Sequence, residues 1–382
     1  MSGAIAGDVA LTVDGQVHRG WRAAKVSLGL DAAAAEVAIE LAERWSRAED
    51  QVALRRAVRP GAAFSLALED EVVVEGFLDA LDIRYDHRSH TLTVRGREKT
   101  GDLVDCAATV DGPYEFAAIG LEEAARRICA PFGIRVRAEG VPATPFPRFS
   151  LQPGETAFEA IARGARERAV IVTGDGRGTL LLTRAGQGGE AAGALRLGGD
   201  DGNIRAADAT FDFTKRHSLV VLRGQAEGSA ARAQGQARAT DAEVTRHRPR
   251  VVLAEAQGEG ASFQERAQFE VRLAAGRGSR VRYTVPGWRG ASGALWRPNT
   301  RVMVEDAYLG LARELLVANL VFSLTEDGTL AEVECTPVDA YALQPEAPRR
   351  QARDSANSPM ETRRRESGDD GRSWERVRVP TE

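Results

Sequence analysis

The sequence predicts a mixed, β-rich (α+β) fold: two similar small β-barrel domains flanking and joined by a small α/β domain, followed by a disordered C-terminal tail. Three observations lead there. Apolar residues alternate with period two over residues 9–97 and again after residue 204. Between residues 101 and 170 the spacing lengthens to that of amphipathic helices. Finally, "RPGAAFSLALED" at Arg59 returns as "RPNTRVMVED" at Arg297, a repeat that points to one design used twice.

At 382 residues the chain exceeds one compact core, so two or three domains are expected. An apolar fraction of 43% and a charged fraction of 28% are those of an ordinary globular protein. The net charge of −4 argues against a dedicated nucleic-acid binder, which carries a basic surplus. Cys106, Cys129 and Cys335 are isolated, form no C-x-x-C pair and read as small buried hydrophobes in a reducing compartment. The start, "MSGAIAGDVALTVDG", lacks the basic and apolar regions of a signal peptide. No apolar run approaches the ~20 residues of a membrane span. The expected place of synthesis is a cytoplasm, from which something else would have to carry the protein.

The first domain is read as residues 1–100. "VALTVDGQV" alternates about the hairpin signal Asp14-Gly15, and "AKVSLGL" puts Val26, Leu28 and Leu30 on one face. "DAAAAEVAIELAERW" has the composition of a helix, yet Val37, Ile39 and Leu41 alternate, so a turn followed by a strand is expected. "FSLALED", "VVVEGFLDALDIRYDH" and "TLTVRGRE" continue the strands. Many short strands at regular spacing predict a small barrel.

The α/β domain spans 101–190. "LEEAARRICAPFG" places Leu121, Ala124, Ala125, Ile128 and Cys129 on one helical face, and Pro131 closes it. "TAFEAIARGARERA" carries a stripe of Phe158, Ile161, Ala162, Ala165 and Ala169, opened by a Thr156/Glu159 capping box. "VIV", "TGDGRG" and "TLLLTR" read as a hairpin. Gly-rich 186–203 reads as a linker or long loop.

The second barrel domain is read as 191–345, with a helix-containing insertion at 225–280. The polar part of that insertion, 225–247, has little apolar surface to offset ordering and reads as mobile. "SFQERAQFEVRLAAGRG" reads as a helix with a Ser262/Glu265 capping box and Gly276 at its C-terminal end. Strands return in "RVRYTVPGW", "TRVMVED", "ELLVANLVFSLTED" and "TLAEVECTPV". The tail, 346–382, is polar, mixed in charge and read as disordered.

The duplication extends past the Arg-Pro phrase. "RAAKVSLGL" at Arg22 aligns without gaps on "RAADATFDF" at Arg205, and Val37/Ile39 then fall on Val220/Leu222. Three copies of a chain with two like modules would present six modules in a ring, matching a partner of sixfold symmetry.

No catalytic, cofactor-binding or metal-binding residues emerge. "GDGRG" and "LGGDDGN" lack the strand–G-x-G-x-x-G–helix setting of a phosphate cradle and read as turns. His18, His87, His90, His217 and His247 are scattered, and "DHRSH" reads as a solvated loop. The carboxylates of "LEDE", "GGDD" and "GDD" read as solvated turns. No G-x-S-x-G or Cys/His pair marks a nucleophile. "LQPGETAFEAIARGA" is similar to the opening of LysM peptidoglycan-binding modules, although a turn plus capping box, which starts any such helix, is the favoured reading. This gives an alternative reading: a peptidoglycan-binding or wall-degrading component that uses residues 153–169.

Over residues 9–345 the sequence resembles the baseplate hub proteins of Mu-like contractile-tailed phages, relatives of the hubs of other contractile tails and type VI secretion spikes. The resemblance is carried by "FSLQPGETAFEAIARGARERAVIVTGDGRGTLLLTRAG", "RHSLVVLRGQ" and "YTVPGWRGASGALWRPNTRVMVEDAYLGLARELLVANLVFSLTEDGTLAEV". It implies a non-enzymatic structural protein of the virion. That protein would be a homotrimer whose barrels form a pseudo-sixfold ring between a hexameric tail tube and a trimeric spike, through which DNA passes. The implied partners are other copies of itself, the spike, and tube and baseplate proteins, with no cofactor, no sequence-specific nucleic-acid binding and no membrane span. Trp288, Trp296 and Pro298 are read as packing and turn residues.

Overall fold

The computed structural model describes residues 8–43, 58–86, 90–224, 236–254 and 263–344. Its first strands follow the alternation closely. β1 (Val9–Val13) turns through Asp14 and Gly15, both at positive φ, into β2 (Gln16–His18), the backbone that a two-residue hairpin requires. β3 (Ala23–Gly29) and β4 (Glu36–Glu43) pair antiparallel. The Ala-rich segment is therefore a turn and a strand, because Val37 and Ile39 bury their side chains on one face. β5 (Ala63–Leu68), β6 (Glu71–Tyr85) and β7 (His90–Glu98) complete the first set.

The middle segment begins with a short helix, α1 (Gly101–Asp105), then β8 (Glu115–Ile119), α2 (Leu121–Cys129), β9 (Arg135–Ala138) and β10 (Phe146–Ser150). α3 (Ala157–Glu167) follows, with β11 (Ile171–Gly174) and β12 (Thr179–Thr183). All five expected residues of α2 are buried. The Thr156/Glu159 capping box forms, Thr156 Oγ1 accepting the Glu159 amide at 3.1 Å and Glu159 Oε2 accepting the Thr156 amide at 2.9 Å.

The α3 stripe is rotated from its expected position. Ala157, Ala160, Ile161, Gly164 and Ala165 are buried, Phe158 and Ala162 only half so, and Ala169 lies past the helix at positive φ. The small residues let the helix approach Phe146 and Phe149; a Cβ on Gly164 would come within 2.9 Å of the Phe149 ring. β12 also pairs parallel with β9, which makes the expected hairpin a three-stranded sheet.

β13 (Leu195–Arg196) lies within the Gly-rich linker, and β14 (Ala206–Phe211) follows it. The insertion is built, not merely polar. β15 (Leu219–Gly224), β16 (Gln236–Thr240) and β17 (Pro249–Ala254) form a sheet of their own against α4 (Phe263–Arg277). Residues 225–235, Ser262 of the expected second capping box, His87 and the tail beyond 344 lie outside the described residues. Gly276 sits inside α4 rather than capping it. A Cβ there would lie 2.5 Å from the Ala340 amide, so the glycine allows close packing on the turn Val338–Tyr341.

β18 (Ser279–Pro286), β19 (Arg301–Asp306), β20 (Leu311–Thr325) and β21 (Gly328–Thr336) close the chain. The neighbour order β3-β4-β7-β6-β5 of the first set is repeated as β14-β18-β21-β20-β19. Val26 pairs Val37 as Ala209 pairs Val281, which bears out the alignment of Arg22 on Arg205. It also corrects the next step: the counterpart of β4 is β18, and Val220 and Leu222 of β15 belong to the separate sheet β16-β15-β17. The Arg-Pro phrases stand at the same place, immediately before β5 and β19.

The two expected small barrels do not show as closed sheets among the described residues. Both sets join one 13-stranded sheet, and among the described residues no pairing closes either set on itself. Alternation specifies which face of a strand is buried but not which strand lies beside it. One continuous core runs under both sets, from Leu11 and Leu66 through Trp288, Trp296, Phe322 and Val333.

A candidate assembly interface at the strand edges

The two strand sets meet where β20 changes partner. Its N-terminal part pairs β19 (Arg301↔Leu316 to Asp306↔Leu311), and its C-terminal part pairs β3 (Asn319↔Gly29 to Leu324↔Ala24). A register shift at Ala318, between Val317 and Asn319, separates the two parts. Such a bulge bends a strand and redirects its edge. Leu320 and Phe322 of β20 bury their side chains with Val26 and Ala24 of β3.

Polar groups lock this seam. Asn319 Nδ2 donates to Asp31 Oδ2 at 2.7 Å and to Glu334 Oε1 at 2.8 Å, and Arg282 Nη2 reaches Glu334 Oε2 at 3.0 Å. Glu334, almost fully buried, thus has its charge met by a guanidinium and an amide. At Gly29 a Cβ would overlap Asn319 Oδ1, so the glycine keeps the carboxamide in place.

β6 carries the matching bulge at Asp79, between Leu78 and Ala80. Before it β6 pairs β5; beyond it, among the described residues, 80–84 meet no strand on the side away from β7. Among the described residues β14 likewise pairs β18 on one side only. Apolar side chains stand exposed along both edges: Ile83 (37%) and Tyr85 (73%) on β6, Phe211 (48%) on β14 and Phe213 just after it. Exposed edge strands with apolar side chains are templates for further strand pairing. Sequence reasoning missed these edges, although Leu81, Ile83 and Tyr85 alternate within the quoted strand.

The middle segment docks beside the seam through its β11–β12 turn. Glu98, 2% exposed, accepts the Ala35 amide through Oε2 and the Gly178 amide through Oε1, each at 3.1 Å. Burial pushes its carboxyl up to about 7, against the pull of those two amides. Thr173 Oγ1 sits 3.0 Å from the Gly29 carbonyl and 2.9 Å from that of Ala32. The "GDGRG" glycines permit this closeness, since a Cβ on Gly176 would overlap the Val73 carbonyl.

The remaining chemistry-bearing residues are dispersed. Among the described residues no group of three His, Cys, Asp or Glu side chains is placed to hold a metal ion. Cys129 and Cys335 are buried, their thiols pushed up by desolvation, that of Cys129 to about 12, whereas Cys106 is exposed, contrary to expectation. The "LEDE" carboxylates are not merely solvated. Arg289 Nε lies 2.5 Å from Glu69 and Nη2 2.7 Å from Asp70, and Arg297 pairs with Glu71. This fan ties the turn after β5 to the loops between β18 and β19. Trp288 and Trp296 are buried, the indole N–H of Trp288 donating to the Ser323 carbonyl at 3.1 Å. No helix among the described residues is long and apolar enough to cross a membrane.

Comparison with known proteins decides the family. The chain is 30% identical to the baseplate hub protein gp44 of Escherichia phage Mu over 356 residues, covering 90% of this chain and 91% of that one. The chain belongs to the Mu-type baseplate hub family. Family models place the match in three parts. Residues 8–98 match the N-terminal part of the GpP-like Mu phage baseplate assembly proteins, 100–184 the second domain of the gp44-like baseplate hub proteins, and 259–344 the fourth domain of the Mu phage protein GpP. Among solved structures, the 43 kDa tail protein of prophage MuSo2 from Shewanella oneidensis matches with a TM-score of 0.74 and 31% identity. It covers 88% of this chain and 99% of that one. A tail protein from Neisseria meningitidis MC58 shares the fold at 22% identity, with a TM-score of 0.71 over 89% and 100% of the two chains.

Proposed function

We propose that this hub is a structural ring component of the virion baseplate. Three chains would set six like strand sets around an axis, between a hexameric tail tube and a trimeric spike, with DNA passing through the ring. The observation that carries this reading is the repeated neighbour order of the two strand sets, which gives one chain two equivalent modules. A trimer of such chains offers a sixfold-like surface to one partner and a threefold surface to another.

The sheet face opposite the core supports the passage of DNA. Lys25, Glu40, Asp82, Arg95, Arg282 and Glu332 alternate across neighbouring strands there, with Arg95 and Asp82 paired at 2.8 Å. A face whose charges neutralise one another attracts a polyanion weakly. The peptidoglycan reading is not favoured. Ala157, Ile161 and Ala165 of its segment are spent on the core of the middle segment, and Thr156 and Glu159 on the cap.

Light scattering behind a sizing column tests the proposal. The expected mass is three times the 41.0 kDa of one chain, with six-lobed rings in negative stain. A monomer at every accessible concentration would overturn it.

A further inference from the structure

We propose that the middle segment, residues 101–184, is a hinged body latched to the strand sets through Glu98, closed while that carboxyl keeps its proton and released when it ionises. The inference is independent of the ring reading, because latch and hinge lie within one chain.

Two observations make the segment a body of its own. Its core, from Leu103 through Ile128, Phe149 and Ile161 to Leu182, is separate from the core under the strand sets. Apolar contact between the two is small, a cluster of Leu30, Ile171 and Leu316. Nor is the interface filled beside the β11–β12 turn. A crevice of about 220 Å³ is lined there by Leu28, Val73 and Trp296 on one side and by Asp175, Arg177 and Leu181 of the segment on the other.

The contacts that close the interface are polar. The Glu75 amide donates to the Gly176 carbonyl at 2.8 Å, and Thr173 Oγ1 reaches the Gly29 and Ala32 carbonyls. Glu98 accepts the Ala35 amide from the β3–β4 loop and the Gly178 amide from the segment, so one carboxyl spans both bodies. The fit leaves no slack, since a Cβ on Gly174 would overlap Glu98 Oε2.

Among the described residues no Lys, Arg or His pairs with that carboxyl. On its own strand Arg97 is held by Asp79 and Asp105, and Lys99 lies 4.0 Å from Glu75. The β3–β4 loop brings the exposed Glu36, α1 brings Asp102, and the β11–β12 turn brings Asp175 and the exposed Arg177. Burial opposes the charge of Glu98 most, and the Asp175 carboxylate adds to that opposition. Docked, the carboxyl titrates at about 7, above the ordinary 4.5 to which release returns it. Closure is therefore favoured at low pH and weakens on the order of a hundredfold from pH 5 to pH 8.

Site-resolved hydrogen exchange on the full chain, corrected for the intrinsic rate at each pH, tests the latch. Protection of the Glu75 and Gly178 amides should fall on the order of a hundredfold from pH 5 to pH 8. At each pH it should vary little with urea below the unfolding transition, which marks opening by release. Amides of β3 and β4 should be better protected and respond steeply to urea. Glu98→Gln should hold the Gly178 protection level across the range. Asp175→Asn keeps the oxygen that accepts the Arg177 and Thr179 amides but removes the charge, and should move the midpoint to lower pH. Should Glu98→Gln fail to fold, the unaltered chain and Asp175→Asn decide the matter. Gly178 protection that ignores pH, shares the urea slope of β3 and β4, or keeps its midpoint in Asp175→Asn overturns the proposal.

Discussion

Gly61 and Asn299 hold the same turn in the two strand sets. Both have left-handed backbone, φ +82° and +65°, and their amides donate to the Leu78 and Val317 carbonyls at 2.7 and 2.8 Å. The return bonds, Leu78 amide to Ala62 carbonyl and Val317 amide to Thr300 carbonyl, are both 2.9 Å. This turn is why the Arg-Pro phrase is written twice: proline fixes the entry, and the residue directly after it must accept positive φ.

Substitution at these two positions should separate turn strain from tethering. Gly61→Val places a β-branched residue in left-handed backbone and should cost about 1–3 kcal/mol. Asn299→Gly keeps the turn but removes the side chain that accepts the Gly186 amide at 2.7 Å and donates to Thr183 and Arg184. It should cost about 1–2 kcal/mol and speed proteolysis between residues 184 and 203. Denaturant melts and limited digestion read the two effects apart.

Gly29→Ala should strain the internal seam, because the new methyl group displaces Asn319 from Asp31 and Glu334. A loss of about 2–4 kcal/mol is expected, from overpacking and a buried carboxylate that loses a donor. Adding Asn319→Ala should recover part of the loss to overpacking. A double-mutant cycle on thermal unfolding measures that coupling.

Glu98 should make stability fall as the pH rises. Its folded carboxyl titrates near 7, above the ordinary 4.5, so its contribution is fully present below pH 4.5 and is lost as the pH climbs to about 7. The expected decline across that window is on the order of 3 kcal/mol from this group alone. Glu98→Gln should flatten the profile between those limits, read from urea melts at half-unit steps of pH.

The insertion should depend on its buried ion pair. Arg216 Nε and Nη2 both bond Asp241 at 2.8 Å, and both side chains are nearly covered. Asp241→Ala leaves a buried guanidinium with only the exposed Glu243 and should cost about 3–5 kcal/mol. Hydrogen exchange should show faster exchange in 236–254, while β3, β4 and β7 keep their protection.

Local features were legible in the sequence because they depend on neighbours along the chain. The Asp14-Gly15 hairpin, the Thr156/Glu159 cap and the strand at Val37–Ile39 each follow from residues a few places apart. The β4 counterpart was misassigned because Val220 and Leu222 alternate just as Val281 and Tyr283 do, and pairing rather than pattern separates β15 from β18. Glu98 gave no signal at all. At a strand end it resembles any solvated glutamate, and its burial comes from a turn 80 residues later. The seam of β20 on β3 was invisible for the same reason: it joins segments nearly the whole chain apart.

That seam has a consequence for concentration. Being intramolecular, β20 on β3 does not respond to dilution, since linkage holds the two strands at a fixed effective concentration. The edges at 80–84 and 206–211, unpaired on one side among the described residues, have no such guarantee, and any pairing of them with another molecule follows mass action. One chain therefore carries a joint that forms whatever the concentration and a pair of edges whose pairing by another molecule would depend on it. The fold can be complete at any abundance, while whatever is built on those edges waits for supply.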